Sequence, residues 1–280
     1  MPLVTTIEML KDAQQKHYAV GAFNIENMEM AQAVIAAAEA QRAPVIIQTT
    51  PGTLKYAKPA TYAAIVASLA KEATVPVAMH LDHGDSYELA VECLNAGYSS
   101  VMIDGSRLSF EDNIAQAARV VAEAKKLGVP VEAELGKVGG KEDTLEDAGD
   151  EYTDPAKAAE YAQRTGISSL AVAIGTAHGV YKSAPKLDLE RLRAIRKVTD
   201  IGLVLHGGSG LSDDDFRNVV RDGIQKVNVY TDISFAGTQA AHDMVKAGDK
   251  MIEHVSVAMR EAIERATMQK LKLFGCEGKA

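Results

Sequence analysis

Histidine and aspartate side chains cluster in the stretch HLDHGDS, which spans residues 80–86 and directly follows the apolar run Val75–Met79. Such a run is typical of a buried strand, so the motif places imidazole and carboxylate groups where the strand reaches the surface. These groups can bind a metal ion or move protons. Polar residues at strand ends also commonly cap turns, so this motif alone leaves the function open.

Two further histidines follow predicted strands in the same way, so that His83, His178 and His206 end the third, sixth and seventh strands. If the strands form a barrel, these ends lie on one rim, where the active sites of such barrels are found. Three neutral imidazole ligands that leave one coordination position open describe a catalytic Zn²⁺ site better than a structural one. The alternative is that three unrelated polar residues end three strands. His80 alternates with Asp82, and we expect it to support the site rather than to bind the metal.

Carboxylates on the predicted fifth strand add to this candidate site. Glu132 and Glu134 lie two residues apart in VEAELG and therefore share one face of the strand. A buried carboxylate is costly unless it is paired, so inward-facing glutamates would require a metal or a basic partner. Asp104, at the end of the fourth strand, could join them. The alternative is an ion pair between either glutamate and a lysine of the rim.

Strand and helix patterns alternate along the chain and predict the elements that position these residues. Amphipathic helical patterns follow most of the strands, and the last ~45 residues predict one or two closing helices. Eight short apolar runs are predicted to be strands, at Tyr18–Asn24, Pro44–Thr50, Pro76–His83, Ser99–Gly105, Pro130–Leu135, Ser168–Gly175, Gly202–Gly207 and Lys226–Asp232.

Alternating strands and helices predict right-handed βα units, and eight such units close into a barrel. We therefore predict an α/β fold, a (β/α)8 TIM barrel with C-terminal closing helices, in which residues 1–280 form a single domain. An open doubly wound sheet is the structural alternative. It is disfavoured because no GxGxxG motif opens a helix and no linker divides the chain.

Composition limits the partners that this 280-residue chain is expected to have. Hydrophobic residues make up 47% and charged residues 24%, which suffices for a large core. The net charge is -8 and no basic cluster is present, so we expect no nucleic-acid partner. Cys93 and Cys276 are too few for a disulfide framework, which fits a cytoplasmic protein. No apolar run approaches the ~18 residues of a membrane span, and the N-terminus lacks a signal-peptide pattern.

Two segments at the ends of the last two strands predict an anion site. GGSG at 207–210 follows the seventh strand, and NVYTD at 228–232 ends the eighth. Barrels commonly build phosphate sites at these ends from backbone N–H groups and a helix N-terminus, so we expect a phosphorylated substrate. Residues 136–152, after the fifth strand, form a connection long enough to be a lid or binding loop. The alternative is a solvated acidic loop.

Seven segments combine these features: AFN at 22–24, HLDHGDS at 80–86, VMIDGS at 101–106, VEAELGKVGGKED at 131–143, LAVAIGTAHGVYK at 170–182, LVLHGGSG at 203–210 and KVNVYTD at 226–232. Together they resemble the class II, metal-dependent ketose-bisphosphate aldolases over nearly the whole chain. Within that family, TTPGT at 49–53, IGTAHG at 174–179 and the C-terminal GCEGKA are more similar to tagatose-bisphosphate aldolases than to fructose-bisphosphate aldolases.

The resemblance implies a zinc barrel that reversibly cleaves a ketose 1,6-bisphosphate into dihydroxyacetone phosphate and glyceraldehyde 3-phosphate. In that family pattern His83, His178 and His206 hold the Zn²⁺, Asp82 moves the proton of the C4 hydroxyl, and Glu142 is the acid/base of the long loop. Asp104 and Glu134 lie near an alternative metal position. Substrate binding, helped by a monovalent cation such as Na⁺ or K⁺, is implied for Asn24, Gly179, Lys182, Gly207, Gly208, Ser209, Asn228 and Thr231.

Departures from the family pattern concern the far end of the sugar. Arg107 stands where many relatives have histidine, and the helix around Glu253 lacks the arginine that some members use for the distal phosphate. Lys182, Arg107 and Lys279 are the available replacements. Fructose 1,6-bisphosphate is therefore a second candidate substrate.

Two further hypotheses for the function are a metal-dependent sugar-phosphate isomerase and a non-catalytic barrel subunit. The resemblance also implies a homodimer or homotetramer.

Overall fold

The computed structural model describes residues 3–140, 151–179 and 185–280. Eight parallel strands close into a barrel in which each strand pairs with its neighbours in sequence and the last pairs with the first. The predicted (β/α)8 barrel is therefore confirmed. The barrel strands are β1 (Val20–Asn24), β2 (Val45–Thr49), β3 (Val77–Gly84), β4 (Ser100–Ile103), β5 (Val131–Leu135), β6 (Ser169–Val172), β7 (Gly202–Leu205) and β8 (Lys226–Val229).

Helices surround this barrel, and short polar side chains fix where several of them begin. The side chains of Asn27, Ser86, Ser109 and Ser212 each accept a hydrogen bond from a backbone N–H of the first helical turn. The helices are α1 (Thr6–Lys16), α2 (Met28–Gln41), α3 (Pro51–Tyr56), α4 (Pro59–Glu72), α5 (Tyr87–Ala96), α6 (Phe110–Ala124), α7 (Pro155–Thr165), α8 (Leu189–Val198), α9 (Asp213–Asp222), α10 (Thr231–Lys246) and α11 (Ile252–Leu273).

Three helices differ from the sequence-based expectation. The sequence patterns do not predict α1 or α3, and α10 starts inside the segment predicted to end the eighth strand. β8 ends at Val229, so Thr231 and Asp232 belong to the first turn of α10. The sequence predicts one or two closing helices at the C-terminus, and two are present, α10 and α11.

All residues of the eight strands are buried. Helix α1 and the segment before it cover the amino-terminal ends of the strands: Val4 N donates a hydrogen bond to Val77 O, and Leu10 packs beside Gly202. The carboxyl ends therefore form the open rim. No helix in the described part of the chain is long and apolar enough to cross a membrane.

The C-terminal tail returns to the start of β1. Ala19 N donates a hydrogen bond to Phe274 O, and Lys279 Nζ lies 5.9 Å from the centroid of the Tyr18 ring. Lys279 is therefore at the amino-terminal end of the strand. The prediction that it could bind the distal phosphate at the carboxyl rim of the same chain is wrong, because sequence alone does not show where a tail packs.

Candidate active site

Asp82 and His83 are neighbours in sequence, yet both side chains reach the carboxyl rim of the barrel. In a regular strand, consecutive side chains point to opposite faces. The pairing of β3 with β4 shifts register between Leu81 and Gly84, and His83 has a left-handed backbone with φ of 48°. Gly84 permits this irregularity, because a Cβ at that position would lie 2.3 Å from Met102 O. The bulge therefore brings two functional groups from one strand to one site.

His83, His178 and His206 form a three-histidine group at the rim. Their ring centroids are separated by 5.0 Å for His83 and His178, 4.5 Å for His83 and His206, and 6.0 Å for His178 and His206. One ring nitrogen of each lies within 4.8 Å of the others. His178 is not at the end of β6 as predicted. It belongs to a two-residue strand, Ala177–His178, that pairs with Gly139–Gly140 beyond the barrel.

The ring of His206 lies between two carboxylates of β5. Its Nε2 is 3.1 Å from Glu132 Oε1, and its Nδ1 is 3.0 Å from Glu134 Oε2. Burial and the nearby His83 lower the pKa of His206, but the two carboxylates outweigh them and raise it to about 9. Positive charge is therefore favoured at this position, whether a proton or a metal ion provides it.

Two buried atoms of this arrangement have no hydrogen bond. Glu134 Oε2 and His206 Nδ1 face each other but make no hydrogen bond to any described residue. Buried polar atoms without hydrogen bonds are uncommon, and one explanation is an ion that satisfies them. Imidazole and carboxylate donors also fit a divalent transition metal such as zinc. The residues present therefore fit the metal that the resemblance implies.

Asp104 orients His83 from outside the three-histidine group. Asp104 Oδ2 lies 2.9 Å from His83 Nδ1, and Asp104 Oδ1 accepts a hydrogen bond from Ser106 N at 3.0 Å. Burial raises the pKa of Asp104, but the hydrogen bond and charge of His83 and the backbone N–H of Ser106 lower it well below its usual range. An ionised carboxylate can only accept, so His83 Nδ1 donates and Nε2 faces the metal position. Asp104, Glu134 and His83 also form a second group of potential ligands.

Three amide side chains hold Asp82. Asn24 Nδ2 and Gln48 Nε2 donate hydrogen bonds to Asp82 Oδ2 at 2.8 and 3.0 Å, and Asn228 Nδ2 donates to Oδ1 at 2.9 Å. Gln48 also donates to Asn24 Oδ1 at 2.9 Å. Asp82 is only 1% exposed, and its Oδ1 lies 4.0 Å from His83 Nε2. The carboxylate is therefore fixed next to the proposed metal position.

A pocket of about 160 Å³ opens beside the histidines on the same rim. Glu26 and Thr50 also line it, and sequence reasoning assigned a role to neither, although Thr50 ends the second predicted strand. All the predicted substrate-binding residues in the described part of the chain line this pocket: Asn24, Gly179, Gly207, Gly208, Ser209, Asn228 and Thr231.

The wall of this pocket suits an anion. Gly207 has φ of 67°, and a Cβ there would lie 2.4 Å from Ala177 O, so the loop requires glycine. Ser209 Oγ accepts hydrogen bonds from the backbone N–H groups of Tyr230 and Asp232 at 3.3 and 3.4 Å. These bonds join the glycine loop to the first turn of α10, whose N-terminal N–H groups favour an anion.

An ion pair lies inside the barrel, next to the metal ligands. Lys226 Nζ is 3.0 and 2.9 Å from the two carboxylate oxygens of Glu132, and neither side chain is more than 1% exposed. Burial raises the pKa of Glu132, but the charge of Lys226 lowers it well below its usual range. Burial and Lys226 also lower the pKa of His80, so His80 is a neutral ring, and its Nδ1 lies 2.8 Å from Ser100 Oγ.

This ion pair answers the question that the sequence left open about Glu132. The glutamate faces inward and has the basic partner that burial requires, which confirms that prediction. The partner is Lys226 at the start of β8, not a lysine of the rim. Glu142 and Lys182, by contrast, lie outside the described residues, and their roles stay predictions of the sequence.

The carboxyl rim of this parallel barrel joins three histidines, neighbouring carboxylates and a pocket suited to an anion. This arrangement is typical of a metal-dependent barrel enzyme. The chain matches the family model for class II fructose-bisphosphate aldolase over residues 4–279. The chain therefore belongs to the class II fructose-bisphosphate aldolase family, and it is a metal-dependent aldolase. The hypothesis of a non-catalytic barrel subunit is dropped.

Solved structures agree with this family. The chain is 39% identical to the YdjI aldolase from Escherichia coli K12, with 99% of each chain covered and a TM-score of 0.91. A Coccidioides immitis protein, titled as a candidate fructose-1,6-bisphosphate aldolase, is 31% identical over 97% of this chain and 96% of that chain, with a TM-score of 0.91. Fructose-bisphosphate aldolase from Campylobacter jejuni is 25% identical over 100% and 97%, with a TM-score of 0.83.

Proposed function

We propose that this aldolase binds Zn²⁺ through His83, His178 and His206 and reversibly cleaves a ketose 1,6-bisphosphate into dihydroxyacetone phosphate and glyceraldehyde 3-phosphate. Tagatose 1,6-bisphosphate is the first candidate substrate. The observation that carries this proposal is the position of Asp82, whose carboxylate is held between the three-histidine group and the glycine-walled pocket. Asn228 links the two parts, because it binds Asp82 and also lines the pocket.

Cleavage of the C3–C4 bond leaves an electron pair at C3 that must be delocalised onto the C2 oxygen. Bound Zn²⁺ supplies a Lewis acid for that oxygen. The contribution of the chain is to orient the ligands: Asp104 fixes His83, and Glu132 fixes His206. This chemistry needs no lysine that forms an imine with the substrate.

Asp82 takes the proton of the C4 hydroxyl as the aldehyde forms. Its three amide donors hold the carboxylate in one orientation. Since the carboxylate already lies beside His83, a substrate bound at the three-histidine group would place its C4 hydroxyl within reach. In the synthesis direction the protonated Asp82 returns the proton to the same oxygen.

Dihydroxyacetone phosphate binds in the glycine-walled pocket through the segments 207–209 and 228–231. Glycine N–H groups and the N-terminus of α10 bind the phosphate. Asn24 and Gly179 complete the wall, and a monovalent cation such as Na⁺ or K⁺ assists, as the resemblance implies. Lys182 is proposed to bind substrate, and Glu142 is proposed to return a proton to C3. Both proposals rest on the sequence alone.

The far end of the sugar determines which ketose is used. Arg107 is exposed on the connection between β4 and α6, next to Ser106, whose backbone N–H binds Asp104. We propose Arg107 and Lys182 as the remaining candidates for the distal phosphate. The motifs TTPGT, IGTAHG and GCEGKA favour tagatose 1,6-bisphosphate, whereas the similar proteins from Coccidioides immitis and Campylobacter jejuni are described as fructose-bisphosphate aldolases.

A panel of four epimeric ketose 1,6-bisphosphates, assayed for triose release by the zinc-loaded protein, tests this proposal. We expect rapid release of both trioses from the tagatose compound and slower release from the fructose compound. Preference for fructose 1,6-bisphosphate would correct the substrate. Formation of an isomeric sugar phosphate without trioses would favour the metal-dependent isomerase instead.

Three further properties belong to the same proposal. Residues 1–280 are proposed to form one domain, which the match of the family model to residues 4–279 supports. A homodimer or homotetramer is expected from the resemblance, and the low cysteine content fits a cytoplasmic location. Sedimentation of the purified protein measures the number of chains in the assembly directly.

A further inference from the structure

The ion pair between Lys226 and Glu132 lies next to the proposed metal centre, and neither residue lines the anion pocket. Lys226 Nζ donates to both oxygens of Glu132, and Ser169 Oγ lies 3.4 Å from Oε2. The carboxylate also accepts from His206 Nε2, 3.1 Å from Oε1, and His80 Nε2 lies 3.8 Å from Oε2. Three partners on three different segments of the barrel therefore hold this carboxylate in one orientation.

Glu132 in turn determines which nitrogen of His206 is available to a metal. Both oxygens of Glu132 accept a hydrogen bond from Lys226 Nζ, so the carboxylate has no proton to donate and His206 Nε2 carries the proton that lies between them. The other nitrogen, Nδ1, lies 3.0 Å from Glu134 Oε2 without making a hydrogen bond, so a metal ion can take the place of the proton on Nδ1. A ring held at Nε2 in this way binds a metal through Nδ1.

We propose that Lys226 is a positioning residue of the metal centre, which acts through Glu132 to hold His206 with Nδ1 facing His83 and His178. This inference rests on the proposed zinc site. Stability alone gives little reason for a lysine at this position, because a buried ion pair is often no more stabilising than an apolar pair of the same volume. The orientation of His206 gives the pair a role that an apolar pair could not fill.

Zinc affinity distinguishes this positioning role of Lys226 from two simpler roles, that of a nearby positive charge and that of a residue needed only for folding. If Lys226 acted only as a nearby positive charge, its removal would strengthen the binding of a cation. If it acted only in folding, its removal would leave the affinity of the folded protein unchanged. Loss of orientation instead weakens zinc binding, because His206 no longer presents Nδ1 to the other two histidines.

The test is zinc affinity, measured by competition with a chromophoric chelator, for the full chain and four variants. In Lys226→Met we expect the zinc dissociation constant to rise about 10- to 100-fold, as is typical when the residue that orients a ligand is lost. Tyr18→Phe is the control. It removes a hydrogen bond of 2.9 Å to Asp12 at the opposite end of the barrel and should leave the constant unchanged.

Two more variants keep the proposal testable if Lys226→Met folds poorly. Lys226→Met combined with Glu132→Gln removes both buried charges, so folding should recover while zinc binding stays weak. Glu132→Gln alone should weaken zinc binding to a similar extent. Wild-type affinity in the double variant would overturn the proposal, because charge balance would then explain the pair completely.

Nitrogen-15 NMR of the histidine rings gives a readout that does not depend on activity. In the zinc-loaded wild type we expect His206 to be protonated at Nε2 and metal-bound at Nδ1, and in Lys226→Met we expect this signal to be lost or split. An unchanged His206 signal, or tighter zinc binding, would contradict the positioning role. A wild-type protein that binds no zinc at the three histidines would instead contradict the proposed function on which this inference rests.

Discussion

Asp82 Oδ1 lies 4.0 Å from His83 Nε2, although the two residues are consecutive in a strand. The register shift in β3 and the left-handed backbone of His83 allow this approach. The proposed proton-transfer group and a proposed metal ligand thus come from one short segment. Because Asp82 is proposed to transfer a proton and His83 to bind the metal, substitutions at the two residues should have different effects.

Asp82→Asn should lower triose release by about 10²- to 10⁴-fold, as is typical for loss of a general acid or base. The amide keeps the size of the carboxylate, so zinc should stay bound at one equivalent per chain. Steady-state assays and atomic absorption on the same sample measure both. Loss of zinc from the folded variant would show that Asp82 is needed to hold the metal.

Gln48→Met should lower kcat while leaving zinc content unchanged, because it removes one of the three amides that fix Asp82. We expect a smaller loss than in Asp82→Asn, since Asn24 and Asn228 still hold the carboxylate. Thr49→Val is the matched control: it is the next residue of β2, and its hydroxyl lies 2.8 Å from Tyr98 Oη, away from Asp82. Equal losses of kcat in the two variants would argue against a specific role for Gln48.

Gly84→Ala should weaken zinc binding through the backbone. The new Cβ would lie 2.3 Å from Met102 O, so the end of β3 must move and His83 with it. We expect a stability loss of about 1–3 kcal/mol from the steric conflict. Gly128→Ala is the control, because its φ of 68° makes alanine strained while no atom lies within 4 Å of the new Cβ. Zinc affinity should fall in the first variant only, and an equal fall in both would contradict the role of the bulge.

Glu142→Ala tests a prediction that rests on sequence alone. If Glu142 transfers the proton at C3, the variant should nearly abolish exchange of the corresponding proton of dihydroxyacetone phosphate with deuterated water. Asp82→Asn should retain part of this exchange, because exchange involves no C4 hydroxyl. NMR follows both reactions. Wild-type exchange in Glu142→Ala would assign the C3 proton to another acid.

The barrel and most of the rim are predictable from the sequence because these features leave local signals. Each strand is a short apolar run, and His83 and His206 follow such runs directly. Gln48 and Lys226 give no comparable signal, since neither lies at the carboxyl end of its strand. Their importance comes from partners on other strands, Asp82 and Glu132, which only the closed barrel brings near.

His178 shows a second limit of sequence reasoning. The sequence places it at the end of the sixth strand, but β6 ends at Val172 and His178 reaches the rim from a separate pairing with Gly139–Gly140. A two-residue strand has no periodic pattern that a sequence could show. His178 therefore lies near the other two histidines as predicted, but a different element places it there.

The central claim is that aldol cleavage depends on a metal held by His83, His178 and His206. The most direct measurement removes the metal with a chelator and follows triose release from tagatose 1,6-bisphosphate while zinc is titrated back, with borohydride present in a parallel sample. We predict that activity is lost on chelation, returns in proportion to bound zinc up to one equivalent per chain, and is insensitive to borohydride. Full activity without metal, or substrate trapped covalently on a lysine by borohydride, would contradict the account.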